Sequence, residues 1–316
     1  MLFALALIPV AGLLFFIYIK DKNEKEPIGL LTGLFFAGMG TVISAIILEL
    51  IGMLIVNALI PNNPVINNFT VAVFVVGPVE ELGKFLVLRL ITWKNKNFNY
   101  SYDAIVYAVF VSLGFAALEN IEYVFLNGVG TALLRMFTAV PAHTCFAVFM
   151  GFFYSKAKYA HLTNNKKDYT KYMLLTIFPS IILHGLYDGI IMSGGSSEVP
   201  LVSGLSILLW LGFVIVLFVL SFLTVLYSSK HDFCIVTMPN NVQTIYKPEV
   251  IGSWKCICGH ENSLNFCNQC GHQRPVGDPW NCPKCGTLSF FNFCGNCGCA
   301  RQTVPANGVI NQAAKV

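Results

Sequence analysis

The chain has 316 residues, of which 55% are hydrophobic and 11% charged, with a formal net charge of +4. Soluble domains carry about 25% charged residues, so this balance, with a mean hydropathy of +0.66, excludes an ordinary soluble enzyme and predicts a membrane protein with several spans. The surplus lysines fall in short loops, which makes them a topological signal and not the basic stripe of a nucleic-acid-binding surface.

Apolar runs of spanning length occur at residues 2–19, 28–60, 69–92, 103–126, 136–155, 172–193 and 201–227, so the fold class is an all-α polytopic bundle of about seven transmembrane helices. The first run lacks a preceding basic residue and a small-x-small cleavage site, and it exceeds a signal peptide's apolar core, so it reads as a retained span. The second run is too long for one perpendicular crossing and is expected to tilt, or to break near Gly38/Gly40 or at Gly52. Lysines gather in alternate loops, at 20–25, at Lys94 and Lys96, between Lys156 and Lys171, and at Lys230, while 61–68 and 193–199 carry no basic residue. Basic loops mark the cytoplasmic side. A multi-pass cell-membrane protein with its N-terminus outside and its C-terminus in the cytoplasm follows, with Arg135 as the one basic residue out of place.

The third run contains Gly77-Pro78-Val79-Glu80-Glu81-Leu82-Gly83-Lys84. A charge near the bilayer centre costs roughly 2.5–3.5 kcal/mol on insertion scales, so these three must be paired or hydrated from within the protein. Glu80 and Lys84 are one helical turn apart and are expected to pair. Glu81 points about 100° away and needs another partner. Later spans offer Gly114-Phe-Ala-Ala-Leu-Glu119-Asn120, Pro141-Ala-His143 and His184-Gly-Leu-Tyr-Asp188. At 1.5 Å per residue, Glu80, Glu119, His143 and His184 come out roughly 10–17 Å below the outer helix ends, one layer in the outer half of the membrane.

Carboxylates and imidazoles at one depth suit activation of a water. One glutamate serves as general base, histidines stabilise an oxyanion and protonate a leaving amine, and Asp188 fixes the His184 tautomer. The same Glu and His side chains could instead hold a catalytic metal. Bland readings stand beside these: Lys84 as a neutraliser of Glu80, Glu49 as a packing or hinge residue, Asn120 as a helix bridge and Cys145 as ordinary core. Glu122 is placed equally well in the pocket or at the interface. The favoured partner for Glu81 is His143 with His184, which leaves Glu81 the freer of the two carboxylates and narrowly the base.

Nine of the eleven cysteines follow Ser253. The membrane domain is assigned to 1–228 and a polar linker to 229–253. Two repeats follow at 254–272 and 280–299, with a disordered tail at 300–316. The repeats supply Cys256, Cys258, Cys267 and Cys270, then Cys282, Cys285, Cys294 and Cys297, the pattern of two four-cysteine ribbons each holding a structural Zn2+. A cytoplasmic location argues against disulfides. The tail has few arginines, so a protein partner is expected of the ribbons and nucleic acid is not.

Together the motifs resemble the PrsW family of intramembrane proteases, which is related to the prenyl-protease and bacteriocin-processing group with its Glu-Glu-x-x-x-Arg and His-x-x-x-Asn motifs. Asp21-x-x-Glu24-x-Glu26-Pro27, ahead of the second span, is similar to that family as well. The resemblance covers about the first 230 residues. It implies a peptidase acting on membrane-associated proteins, the best-known member on an anti-sigma factor, through a glutamate pair matched by Glu80 and Glu81 and histidines matched by His143 and His184. Lys84 and Asp188 depart from the related group's arginine and asparagine. The family has been grouped both as metallopeptidases and as glutamic-type enzymes. Competing expectations are a proton-coupled transporter, since intramembrane Glu and His chains also relay protons, and a degraded enzyme that anchors the ribbons.

Overall fold

The computed structural model describes residues 2–235, together with 254–256, 258–262, 269, 280–281 and 288–289. Two compact units divide at residues 241 and 242. The first is helical: α1 (Leu2–Lys20), α2 (Ile28–Leu59), α3 (Pro64–Val71), a π-helical turn (Ala72–Val76), α4 (Gly77–Thr92), α5 (Asp103–Phe137), α6 (Ala139–Leu162), α7 (Lys166–Gly195) and α8 (Pro200–Lys230). Among the described residues, five stretches are long and apolar enough to cross a membrane: Phe3–Lys20, Ile28–Leu59, Asp103–Leu162 (which holds α5 and α6), Lys166–Gly195 and Pro200–Lys230. The predicted run at 69–92 is divided among α3, the π turn and α4 and is not one of the five. The second run does not break; α2 is continuous over its whole length.

The middle of the bundle is α5. Every residue from Asp103 to Ala117 except Phe110 is buried, and the helix packs against α1, α2 and α6. A helix apolar and covered on all sides belongs in the interior. By contrast, α2 and α8 turn Ile47, Leu54, Leu208 and Ile215 outward, as a lipid-facing helix does. The α2–α5 crossing depends on two glycines: a Cβ on Gly38 would stand 2.0 Å from the Val111 carbonyl oxygen, and one on Gly114 would stand 1.9 Å from that of Phe35. Small residues are what let membrane helices approach so closely. Gly114→Leu is therefore expected to destabilise the bundle by at least about 1–3 kcal/mol, read as a lower thermal midpoint in detergent. Gly40→Leu, with open space at its Cβ, leaves the midpoint unchanged.

Ahead of α4 the chain widens into the π turn, and Pro78 follows in the first turn of α4. Proline has no N–H to give, and a π turn is where a helix tolerates a missing i→i−4 bond and changes phase. The change of phase turns Glu80, Glu81 and Lys84 inward; all three are buried. Near the other end of α5, Gly128 has φ 79° and ψ −164°, non-helical values inside the helix that glycine adopts without penalty. The segment beyond it folds back, so that Ala132 packs beside Val124 and Ala6. Arg135 Nε then donates to Asn120 Oδ1 at 2.9 Å, although fifteen residues of straight helix would separate them by roughly 22 Å.

At the Asp103 end of α5 a second polar group ties the loops together. The Tyr107 hydroxyl donates to Glu26 Oε2 at 2.6 Å. Asp103 Oδ2 accepts from the Asn99 and Tyr100 amides, and Asp232 Oδ1 accepts from Ser101 Oγ and the Tyr102 amide. Lys25 caps the end of α1 through the Tyr18 and Asp21 carbonyls. The acidic motif entering α2 is thus a structural clasp. Burial pushes the Asp21 carboxyl up to about 6, with Asp232 and Glu24 adding to the shift and Lys25 opposing it. Burial likewise pushes Glu26 up to about 7, against the hydrogen bond from Tyr107. A carboxyl whose folded pKa exceeds its unfolded value binds more protons when folded, so its contribution to stability is full at low pH and is lost as pH rises through the folded value. Between about pH 4 and 7 stability should fall by about 1–3 kcal/mol for each group, read as a falling thermal midpoint, and Glu26→Gln should flatten that slope.

In the second unit, β1 (Trp254–Lys255) pairs antiparallel with β2 (Glu261–Asn262), and β3 (Trp280–Asn281) pairs antiparallel with β4 (Leu288–Ser289). Between β1 and β2 the Cys256 amide donates to the His260 carbonyl at 2.9 Å, and the Gly259 amide to the Cys256 carbonyl at 2.8 Å. Gly259 takes φ 87° to close this turn. Cys256 and Cys258 flank it; Cys267, Cys270, Cys282, Cys285, Cys294 and Cys297 lie outside the described residues, as do most of the 229–253 linker and the 300–316 tail.

Candidate active site

Four helices bring the polar residues of the spans into one network. On α4, Lys84 Nζ donates to Glu80 Oε2 at 2.9 Å and to Glu81 Oε1 at 2.8 Å. It also lies 3.2 Å from His143 Nδ1 on α6 and 4.0 Å from the centre of the Phe115 ring on α5. Lys84 is only 1% exposed and Glu81 is fully buried. Lys84 therefore does not serve Glu80 alone, as the i, i+4 spacing suggests; it bridges both glutamates, since i and i+3 also share a helix face.

His143 is held from both sides. Because Nδ1 faces a donor-only ammonium, it accepts, and Nε2–H donates to Glu119 Oε2 at 2.9 Å. Arg135 Nη2 closes on the same carboxylate oxygen at 3.0 Å. On α7, His184 Nδ1 lies 2.9 Å from Glu81 Oε1, and its Nε2 lies 3.1 Å from Asp188 Oδ2 and 3.9 Å from Glu80 Oε2. The Phe146 ring stacks on the His184 imidazole at 4.8 Å and fixes its plane. A close approach of the backbones makes the cross-helix contact short enough: a Cβ on Gly77 would meet the Ile181 carbonyl oxygen at 2.9 Å and the Gly185 amide at 3.0 Å.

Glu80, Glu81, Glu119, His143, His184 and Asp188 are thus joined in one chain of contacts. The partners differ from those expected in one respect: Glu81 meets His184 and Lys84, while His143 meets Lys84 and Glu119. Contrary to the expectation that Glu81 is the freer of the pair, it is the more enclosed carboxylate, with Oε1 engaged by Lys84 and His184 and Oε2 buried without a hydrogen-bond partner. A cavity of about 440 Å³ opens beside the network, lined by Glu119, Arg135, His143, His184, Asp188 and Trp210 among others.

Two participants escape a reading of the sequence. Arg135 is one, and its signal was the misfit with the loop charge pattern: a cation neutralised by Glu119 does not mark topology. Glu49 is the other. It is half-buried on the α2 stripe that includes buried Gly38, Val42, Ala45 and Val56, within electrostatic range of Glu119, His184, Lys84 and Asp188. Its 3–4 spacing from those small and apolar residues was the available sign. Asn120 bridges helices, donating to the Ala6 carbonyl and accepting from Arg135. Glu122 is exposed, and Cys145 packs in an apolar cluster with Phe146, Trp210 and Leu217.

One donor atom from each of Glu80, Glu81, His143 and His184 falls within 4.8 Å of the others, a donor set and spacing of the kind that zinc accepts. The Lys84 ammonium, however, already stands 2.8–3.2 Å from three of the four residues. The cluster as arranged fits a cation, and the lysine supplies it.

A family model described as PrsW family intramembrane metalloprotease matches residues 26–223. The Protease PrsW of Oceanobacillus iheyensis is 36% identical over 203 residues, 64% of this chain and 88% of that protein. The Protease PrsW of Clostridioides difficile is 34% identical over 217 residues, 66% of this chain and 87% of that protein. For the Protease PrsW of Bacillus subtilis the identity is 32% over 183 residues, 58% and 79% of the two chains. No solved structure matches the chain.

Proposed function

The chain belongs to the PrsW family of intramembrane metalloproteases, and on that footing we propose that it is an endopeptidase whose buried glutamate pair activates a water against a membrane-associated, anti-sigma-factor-like protein. The observation that carries this reading is the buried Oε2 of Glu81, which has no hydrogen-bond partner among the described residues, beside an Oε1 held by Lys84 and His184. A buried carboxylate oxygen without a partner is costly, and a water held there both satisfies it and stands ready to lose a proton. Glu81 takes that proton, and the water oxygen attacks the scissile carbonyl. The proton passes from Glu81 by way of its partner His184 to the leaving nitrogen as the C–N bond breaks, and His143, which with His184 lines the adjacent cavity, stabilises the oxyanion once Glu119 releases its Nε2–H. The 440 Å³ cavity is the place where an extended segment of substrate lies.

The finer topology belongs to the same proposal. Seven crossings, with residues 69–92 as the third, put the N-terminus outside and the second unit in the cytoplasm by the distribution of lysines. There, Cys256, Cys258, Cys267 and Cys270 form one zinc ribbon, and Cys282, Cys285, Cys294 and Cys297 another, with a protein partner. The Cys256–Gly259 turn, closed by backbone bonds to Cys256, supports this reading. The test reconstitutes the full chain in vesicles with a tagged single-span membrane substrate. Cleavage without proton flux is expected, and deletion of the residues after Ser253 leaves it in place. Proton flux without cleavage would favour a transporter.

A further inference from the structure

The four acids and bases that would hold a metal surround a group that is itself a cation. Lys84 Nζ lies 2.9 Å from Glu80 Oε2, 2.8 Å from Glu81 Oε1 and 3.2 Å from His143 Nδ1, and the fourth residue, His184, bonds the same Glu81 oxygen at 2.9 Å. An ion touching those carboxylate and imidazole atoms needs the space that the ammonium fills, because zinc sits about 2.0–2.2 Å from such ligands. Nor is the lysine placed there by the carboxylates alone. The Phe115 ring face lies 4.0 Å beneath it, a cation–π contact that strengthens on desolvation, and the side chain is 1% exposed. The i, i+3 and i, i+4 spacings from Glu81 and Glu80 build this arrangement into α4 itself, so it forms whenever the helix does.

We infer that the Lys84 ammonium is the resident cation of the Glu80–Glu81–His143–His184 cluster, and that a divalent metal and Lys84 exclude one another from it. The lysine does there what a bound ion would do structurally: it neutralises two adjacent carboxylates in a low-dielectric interior and holds their oxygens turned toward His143 and His184. A dication brought within a few ångströms of a fixed ammonium is repelled strongly where water does not screen the pair. Arg135 on Glu119 adds a second fixed positive charge on the far side of His143. The inference rests on the peptidase reading only in taking this cluster as the working site.

The test is a titration of the full chain in detergent with Mn2+, followed by the loss of the free-ion electron paramagnetic resonance signal. Manganese prefers oxygen and nitrogen ligands to thiolates, so the cysteine-rich unit does not compete. Wild-type protein is expected to bind no Mn2+ that depends on His184. Lys84→Met is expected to bind one Mn2+ at least roughly 100-fold more tightly than wild type, with the binding lost again in Lys84→Met/His184→Ala. Lys84→Arg, which keeps the charge, stays without metal. Stoichiometric binding by the wild type that His184→Ala abolishes overturns the inference, and so does a folded Lys84→Met that binds no better than wild type. Should Lys84→Met fail to fold, the comparison of wild type with His184→Ala still decides. Substrate cleavage is scored separately. Wild-type protein that cleaves and binds metal at His184 refutes only the resident lysine, and one that does neither refutes only the peptidase.

Discussion

Glu81→Gln is expected to lower the rate of substrate cleavage by about 10²–10⁴-fold, the usual contribution of a general base, while leaving the fold in place. The amide keeps the size and shape of the carboxylate, so packing against α7 is retained. Lys84 keeps its bond to Glu80 at 2.9 Å, and His184 keeps Asp188 at 3.1 Å. What disappears is the capacity to take a proton from water at a position with no exposed surface. Cleavage of a tagged membrane substrate, followed by gel with matched expression and thermal midpoint, separates this from misfolding.

Lys84→Met should produce the largest loss of stability, about 3–5 kcal/mol, because removing one partner of a buried ion pair leaves the other charge uncompensated. Here two carboxylates are stranded at once: Glu80 and Glu81 both lose the ammonium 2.8–2.9 Å away, and His143 loses the donor to Nδ1. Lys84→Arg retains the charge on a bulkier, planar head and should fall between the two. Unfolding in detergent, compared at one pH, measures the ordering wild type, Lys84→Arg, Lys84→Met. A Lys84→Met protein as stable as wild type would mean that the glutamates are neutralised by something other than this lysine.

Much of this site could be read from the chain because polar residues in an apolar span are costly enough to be informative one at a time. Glu80 with Lys84, and His184 with Asp188, follow from spacing along one helix, and a common depth predicts that α4, α5, α6 and α7 share a layer. What spacing along a helix cannot supply is the azimuth between helices. The π turn before Gly77 changes the phase of α4, and nothing in Val71 to Val76 announces it. The reversal at Gly128 carries Arg135 back to Glu119 and Asn120, whereas a straight span followed by a bare loop leaves Arg135 as an unexplained exception. Glu49 looked solitary because its neighbours in space are all on other helices. The pairing of Glu81 with His184 is likewise a choice among partners at similar depth, which the close Gly77–Gly185 approach of α4 and α7 favours; spacing along one helix does not give the His143–Glu119 pairing between α6 and α5 either.

The most direct test compares initial rates of cleavage of the same membrane substrate by wild type, Glu80→Gln and Glu81→Gln, each purified as the full chain and matched for thermal midpoint. The glutamate-activated water mechanism predicts a shortened product from wild type and a loss of at least about 100-fold in Glu81→Gln. Undiminished cleavage by both variants would contradict it.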